Sequence, residues 1–200
     1  MQEQFLLDTN AYFNFMKYAV FWKDKQETAV HEEEIERIKA GKCYISMITR
    51  MEIISVIGKY ARGTSASKEK CNCLISEDGT VCDHYRYISA RKPMKSRLTA
   101  SWIRLVDETI SGVSPVISIS VLPLSTDVLN EAQSVVQYAL IHNFGSLDAV
   151  IAATLLSART SKEFMNMQMI TSDKGLKACL DKCKLPYWDA FSKKTIASAV

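Results

Sequence analysis

Residues 5 to 10 read Phe5-Leu6-Leu7-Asp8-Thr9-Asn10, a short apolar run that ends in polar residues. Such a run predicts a strand that is buried on both faces of a sheet. The stretch Met167-Gln168-Met169-Ile170 repeats the pattern and ends in Thr171-Ser172-Asp173. Apolar residues at helical spacing follow both runs, at 11–22 and 174–183. Strands followed by helices predict a parallel sheet with helices packed on its two faces.

The rest of the chain alternates short apolar runs with segments of helical spacing. Further strands are predicted at Cys43–Ser46 and Val116–Val121, and further helices at 26–40, 48–60, 98–111, 126–142 and 147–158. Thr49, Thr126 and Ser146 are predicted N-caps, and Gly41 is a predicted C-cap. We therefore expect an α/β three-layer sandwich with a central, mostly parallel sheet, built from residues 1–200 as a single domain.

Composition excludes several classes of protein. Of the 200 residues, 48% are hydrophobic and 24% are charged, which is unlike disordered, collagen-like or coiled-coil chains. The longest nearly uncharged apolar stretches, Val116–Leu124 and Ala149–Ala158, are too short to cross a bilayer. Asp8 interrupts the first apolar run, which is not the pattern of a signal peptide. We expect a soluble, cytoplasmic protein with no membrane partner.

Residues 61–97 form a basic, turn-rich segment that we interpret as an inserted hairpin. From Lys59 to Arg97 nine basic residues face four acidic ones, although the whole chain carries only +3. Tyr85 and Tyr87 lie among these cations and could stack on exposed bases. The alternative is a surface charge that only keeps the protein in solution. The candidate RNA-binding residues are Lys68, Lys70, Arg86, Arg91, Lys92, Lys95 and Arg97.

The same segment contains a pattern of metal-ligand residues around a Glu-Asp-Gly turn. Its members are Cys71, Cys73, Cys82 and His84. In a hairpin, residues two apart share a face, so the four side chains could converge on one structural Zn²⁺ ion. The alternatives are surface thiols, or a thiol pair that oxidises outside the cell.

Four acidic residues stand where a charge is costly. Asp8 and Asp173 follow predicted strands, and the carboxyl ends of parallel strands meet at one edge of a sheet. Glu52 and Asp148 lie in otherwise apolar helices. Converging carboxylates suit Mg²⁺ or Mn²⁺, which prefer oxygen ligands. Alternatively, the aspartates are helix N-terminal caps and Glu52 pairs with Arg50 or Lys59.

Four segments resemble the motifs of PIN-domain ribonucleases, above all VapC-type toxins: Phe5–Asn10, Ile45–Ile53, Leu147–Ala153 and Ile170–Gly175. The resemblance covers about residues 3–60 and 115–185, and the insertion at 61–97 departs from small toxins of this type. It implies a PIN-like fold and metal-dependent cleavage of RNA. Asp8, Glu52, Asp148 and Asp173 would then hold Mg²⁺ or Mn²⁺, and Asn10 and Thr171 would support them.

The leading hypothesis is an endoribonuclease that is the toxin of a type II toxin–antitoxin pair. Its expected partners are an RNA substrate, a cognate antitoxin and a second copy in a homodimer, with helices 11–22 and 48–57 as docking surfaces. The alternatives are a PIN nuclease that processes ribosomal RNA and a nucleic-acid-binding module without catalysis. A flavodoxin-like signalling domain fits least, because it gives Glu52 no role.

Overall fold

The computed structural model describes residues 2–21, 29–70 and 84–192. The described residues of 1–53 and 105–200 form one compact unit, called the sheet unit below. Those of 54–104 form a second compact unit, called the hairpin unit. No described helix is long and apolar enough to cross a membrane.

The sheet unit is built on five parallel strands. The strands are β1 (Gln4–Leu7), β2 (Lys42–Ser46), β5 (Ile119–Leu122), β6 (Gln168–Ile170) and β7 (Tyr187–Trp188). Their spatial order is β5-β2-β1-β6-β7, with β1 at the centre. The predicted α/β class, with a parallel central sheet flanked by helices, is confirmed.

Within the described ranges, seven α-helices accompany the strands, and two of them, α3 and α4, belong partly to each unit. They are α1 (Thr9–Met16), α2 (Glu32–Ala40), α3 (Met47–Arg62), α4 (Ser96–Ile110), α5 (Thr126–Val135), α6 (Ser146–Ala158) and α7 (Lys174–Lys182). A π-helical turn, Lys17–Phe21, extends α1, and a 3₁₀-helix, Val136–Leu140, extends α5.

Side chains alternate between the two faces of the sheet along each strand, and both faces are buried. Leu6, Tyr44 and Met169 join a core with residues of α5, α6 and α7 on one face. Phe5 and Leu7 are turned to the other face and are also fully buried. This explains why β1 is a continuous apolar run without alternation.

Three of the predicted N-caps are wrong by a short distance along the chain. Ser125, not Thr126, caps α5 by accepting from Val128 N at 3.3 Å. Gly145, not Ser146, is the N-cap of α6. Ser46, not Thr49, precedes α3, and its hydroxyl accepts from Thr49 N at 2.9 Å. In each case a neighbouring residue already holds the extended backbone before the helix. Gly41 is confirmed as the C-cap of α2.

Two strands differ from expectation. β5 begins at Ile119 rather than Val116, because residues 115 and 116 form a bend after Ser114. β7 was not predicted at all. It has two residues, Tyr187 and Trp188, too few to show a hydrophobic period.

The hairpin unit contains an antiparallel pair, β3 (Ser67–Lys70) and β4 (Tyr85–Ile88). These strands lie inside the predicted insertion. The predicted turn at Glu77–Thr80 lies outside the described residues. Within this unit an isolated bridge pairs Thr64 with Arg91. The Arg91 guanidinium lies 3.9 Å from the centre of the Tyr60 ring and donates to the Lys59 carbonyl at 3.1 Å.

A buried hydrogen bond between α1 and α4 predicts an asymmetric response to mutation. The Tyr12 hydroxyl is 2.8 Å from Thr109 Oγ1, which itself donates to the Val106 carbonyl at 2.9 Å. Burial raises the pKa of Tyr12 to about 12, so the phenol keeps its proton and donates. Thr109→Val leaves that donor unpaired and should lower the free energy of unfolding by about 1–3 kcal/mol. Tyr12→Phe should cost about 1 kcal/mol or less.

Urea denaturation of both variants and the wild type measures the difference. Both substitutions keep the size of the side chain, so packing loss is small in each. Equal losses, or a larger loss for Tyr12→Phe, would contradict the assigned direction of the bond.

Candidate functional site

Asp8 stands at the carboxyl end of the central strand. Its backbone N–H donates to the Ile170 carbonyl at 3.2 Å, so the residue is still held beside β6. It is also the N-cap of α1: Oδ1 accepts from Ala11 N, while Oδ2 accepts from the Thr171 hydroxyl. The carboxylate is only 3% exposed. Its position is therefore fixed by four separate constraints: the ladder, the cap, the threonine and burial.

Asp173 and Asp148 lie at the N-terminal ends of two other helices. Asp173 is the N-cap of α7, and its Oδ1 accepts from Leu176 N at 2.8 Å. Asp148 lies in the first turn of α6, where its Oδ2 accepts from Gly145 N at 2.8 Å. Both residues are partly buried. Asp8 and Asp173 are thus helix N-caps, and Asp148 is a charge in the first turn of its helix, but these placements do not exclude a further role.

The three aspartates act on one another electrostatically. Burial is the main cause that raises the pKa of Asp8 to about 7, and the negative charges of Asp173 and Asp148 raise it further. The hydrogen bonds from Thr171 and Ala11 oppose this effect without cancelling it. The pKa of Asp148 is also raised, first by burial and then by the charge of Asp173. We call Asp8, Asp148 and Asp173 the aspartate cluster.

Thr171 connects two members of the cluster. Its hydroxyl is fully buried and donates to Asp8 Oδ2, while the same oxygen accepts from Asp173 N at 3.1 Å. A hydroxyl can donate once and accept twice, so both bonds form together. Thr171 therefore fixes the side chain of Asp8 relative to the backbone of Asp173.

Glu52 is joined to this edge of the sheet through a residue that the sequence did not single out. The Thr9 hydroxyl donates to Glu52 Oε2. Because Thr9 directly follows Asp8, this bond connects α3 to the end of β1. Thr9 could have been suspected only from its place in the Asp8-Thr9-Asn10 run, since a threonine there also suits the first turn of a helix.

A polar cleft of about 580 Å³ opens beside Asp173. Its lining is mainly amide, hydroxyl and charged side chains, which suits a polar substrate. The lining residues are Asn10, Asn14, Asn143, Ser172, Asp173, Lys174 and Gly175. Of these, only Asn10 and Asp173 were predicted from sequence. A methyl group at Gly175 would lie 2.0 Å from the Asn143 carbonyl oxygen, so glycine is required for this wall of the cleft.

The donor set suits a hard divalent cation that keeps part of its water. The cluster offers carboxylate oxygens only. Asp148 and Asp173 each use one oxygen for a backbone N–H, and both oxygens of Asp8 accept a hydrogen bond. Across the described residues, no three His, Cys, Asp or Glu side chains stand close enough to enclose a metal ion. Mg²⁺ typically binds through one or two carboxylates and retains several waters, so it does not need such a cage.

One further acid at this edge behaves differently. Asp189 follows β7 as Asp8 follows β1, but it forms a salt bridge with Lys177 and accepts from the Ser172 hydroxyl at 2.6 Å. A carboxylate already paired with a lysine has less need of a cation. The signal that could have found it is the Tyr187-Trp188-Asp189 run, another apolar pair that ends in an acid.

The predicted zinc site lies mostly outside the described residues and stays a prediction. Cys71, Cys73 and Cys82 lie outside the described residues, and His84 is exposed. Of the predicted RNA-binding cations, Lys68, Lys92, Lys95 and Arg97 are exposed. Arg91 is half-buried and contacts Tyr60 and Lys59, so it contributes to the packing of the hairpin unit. The backbones of Lys70 and Arg86 lie in the hairpin strands.

Asp8 predicts a specific pH dependence for the stability of the metal-free protein. Its pKa is about 7 in the folded chain against an ordinary value of 3.8, so the folded state holds the proton more tightly. This contribution to stability is complete below pH 3.8 and is lost as the pH rises towards 7. The free energy of unfolding should fall by about 1.4 kcal/mol per pH unit across that interval.

Urea denaturation in EDTA, repeated from about pH 5 to about pH 8, measures this slope. Asp8→Asn should flatten it, because the amide does not titrate. Asp127→Asn is the matched control, since Asp127 also lies in the first turn of a helix but is exposed. Identical slopes for the wild type and Asp8→Asn would show that the pKa of Asp8 is not raised in the folded chain.

No family model and no curated protein sequence matches the chain. Among solved structures, FitAcB from Neisseria gonorrhoeae aligns with a TM-score of 0.47 and 15% identity, over 93% of this chain and 97% of that one. VapBC2 from Rickettsia felis, bound to a DNA fragment from their promoter, aligns with a TM-score of 0.47 and 13% identity, over 92% of this chain and 97% of that one. Both are distant likenesses of architecture.

Proposed function

We propose that this chain is a metal-dependent endoribonuclease that hydrolyses RNA phosphodiesters at the aspartate cluster, with Glu52 as the fourth acidic residue. The observation that carries the proposal is the convergence of three carboxylates whose negative charges repel one another. Asp8, Asp148 and Asp173 come from distant parts of the chain. Beyond the effect of burial, the charges of Asp173 and Asp148 raise the pKa of Asp8, and the charge of Asp173 raises the pKa of Asp148. A divalent cation, Mg²⁺ or Mn²⁺, is the partner that would relieve this repulsion.

The bound ion would supply an acidified water and would neutralise charge that develops on the phosphate. The chain's own part is to hold the carboxylates still. Thr171 and Ala11 N fix Asp8, and Leu176 N fixes Asp173. Preorganised groups need not rearrange during the reaction, which is where much of their catalytic value lies.

The cleft beside Asp173 supports a phosphate-containing substrate. Lys174 and the amide groups of Asn10, Asn14 and Asn143 line it and are donors for phosphate oxygens. Lys174 is also the first residue of α7, and the start of a helix favours negative charge. These groups would position the backbone of the nucleic acid and carry no base preference.

We further propose the biological setting of a toxin with a cognate antitoxin and a homodimer mate. Exposed Met47 and Met51, one turn apart on α3, offer apolar surface for a protein partner. The other expected docking surface, helix 11–22, is less suitable, because Tyr12, Phe15 and Met16 are buried in the sheet unit. A small adjacent open reading frame that encodes a DNA-binding protein would favour this setting over ribosomal RNA processing.

Removal of single carboxylates should strongly slow cleavage without loss of the fold. Purified wild-type protein should cut mixed tRNA and rRNA with Mg²⁺ or Mn²⁺ and should stop in EDTA. Asp8→Asn, Asp148→Asn and Asp173→Asn should each cleave at least about 100-fold more slowly, because each removes charge that the ion needs. Gel analysis of end-labelled RNA gives the rates.

Asp127→Asn is again the matched control, and it should cleave at the wild-type rate. Thermal melting shows that each variant is folded before its rate is compared. If the folded wild type cleaves no RNA with either metal, the nuclease proposal fails. RNA binding without cleavage would then favour the binding-module alternative.

A further inference from the structure

The hairpin unit carries a surface that the proposed active site does not use. Antiparallel pairing sets Lys68 opposite Tyr87, and Lys70 opposite Tyr85. Residues directly opposite one another in an antiparallel pair share a face, and so do residues two apart along a strand. Lys68, Tyr85 and Tyr87 thus lie on one side of the two-stranded ribbon, which we call the tyrosine face.

The two tyrosines of this face are exposed to an unusual degree. Tyr85 is 52% exposed and Tyr87 is 75% exposed. Aromatic side chains are normally among the main contributors to buried apolar area. Two such rings in solvent at neighbouring positions indicate a surface for binding flat, apolar groups.

A cation lies directly beside both rings. Lys68 Nζ is 4.1 Å from the centre of the Tyr85 ring and 5.6 Å from the centre of the Tyr87 ring. Its positive charge is therefore held where a ligand on the rings would meet it. The only acid in the described part of the two strands, Glu69, is opposite Arg86 and so belongs to the other side of the ribbon.

From these contacts we propose that the tyrosine face binds an unpaired stretch of RNA, with bases stacked on Tyr85 and Tyr87 and the backbone attracted by Lys68. Aromatic rings with interleaved cations are the chemistry that holds single strands. The two positions are about 7 Å apart along the strand, a spacing that an extended single strand can follow. Paired bases cannot present their flat faces, so a duplex is excluded from stacking.

The charge of the hairpin unit complements such a ligand. Lys92, Lys95 and Arg97 are exposed in the same unit and add to its attraction for phosphates. Arg91 is excluded from this role because it contacts Tyr60 and Lys59. The inference deepens the proposed function by naming unpaired RNA as its substrate class, and it rests on that function for its biological meaning.

Direct binding tests the proposal without any need for cleavage. The full chain carrying Asp8→Asn is titrated into a fluorescein-labelled oligouridylate of about 12 nucleotides, a length that more than covers a stacking site. A double variant, Tyr85→Leu with Tyr87→Leu, removes aromatic stacking and keeps the size. Fluorescence anisotropy should show at least about tenfold weaker binding.

Matched variants separate stacking from charge and from misfolding. Tyr85→Phe with Tyr87→Phe keeps the rings and should bind within about twofold of the parent. The single variant Tyr87→Leu, at the more exposed position, should show an intermediate loss of affinity. It replaces the double variant in the comparison if the double variant melts abnormally. Lys68→Gln should weaken binding and flatten its salt dependence.

Three results would overturn the proposal. One is a folded leucine variant that binds oligouridylate as tightly as its parent. The second is an equal loss of affinity for single-stranded RNA and for an RNA duplex of the same length. The third is displacement of the labelled RNA by polyglutamate as effectively as by unlabelled oligouridylate. Either of the last two would show electrostatic attraction without stacking. Failure of cleavage together with tyrosine-dependent binding would count against the nuclease alone, and cleavage without such binding would count against the tyrosine face alone.

Discussion

The structure depends on one placement, a carboxylate at the end of the central buried strand. β1 is paired on both sides, so its last residues cannot move towards solvent. Asp8 follows it directly and is 3% exposed. An ionised carboxylate in that position is unfavourable unless a partner compensates it. The hydrogen bonds from Ala11 N and from the Thr171 hydroxyl both go to that carboxylate.

Two physical demands on the same side chains explain the cluster. Helix N-termini favour acidic caps, and Asp8, Asp148 and Asp173 satisfy this demand. Capping alone would favour the ionised forms, yet burial and mutual repulsion raise the pKa of Asp8 and Asp148. Caps on three unrelated helices do not need to be near one another. Their proximity is what distinguishes this edge from ordinary helix starts, and it contrasts with Asp189, whose charge Lys177 balances.

Sequence reasoning reached the parts that depend on chain order and failed where side chains from distant segments meet. The apolar runs before Asp8 and Asp173 predicted both strands and the edge on which these residues stand. The bond from Thr9 to Glu52 and the cleft residue Asn143 were missed, because nothing local distinguishes a hydroxyl or amide that a distant element will meet. β7 was missed for another reason, because its two residues form a strand only by pairing with β6.

A calorimetric titration of Mn²⁺ into the metal-free protein tests the central claim most directly. If the cluster is a cation site, the wild type and Asp127→Asn should bind Mn²⁺ alike. Asp8→Asn and Asp173→Asn should bind it at least about tenfold more weakly, since each removes one carboxylate from the site. Absence of binding by the folded wild type, or equal binding by all four proteins, would contradict the account.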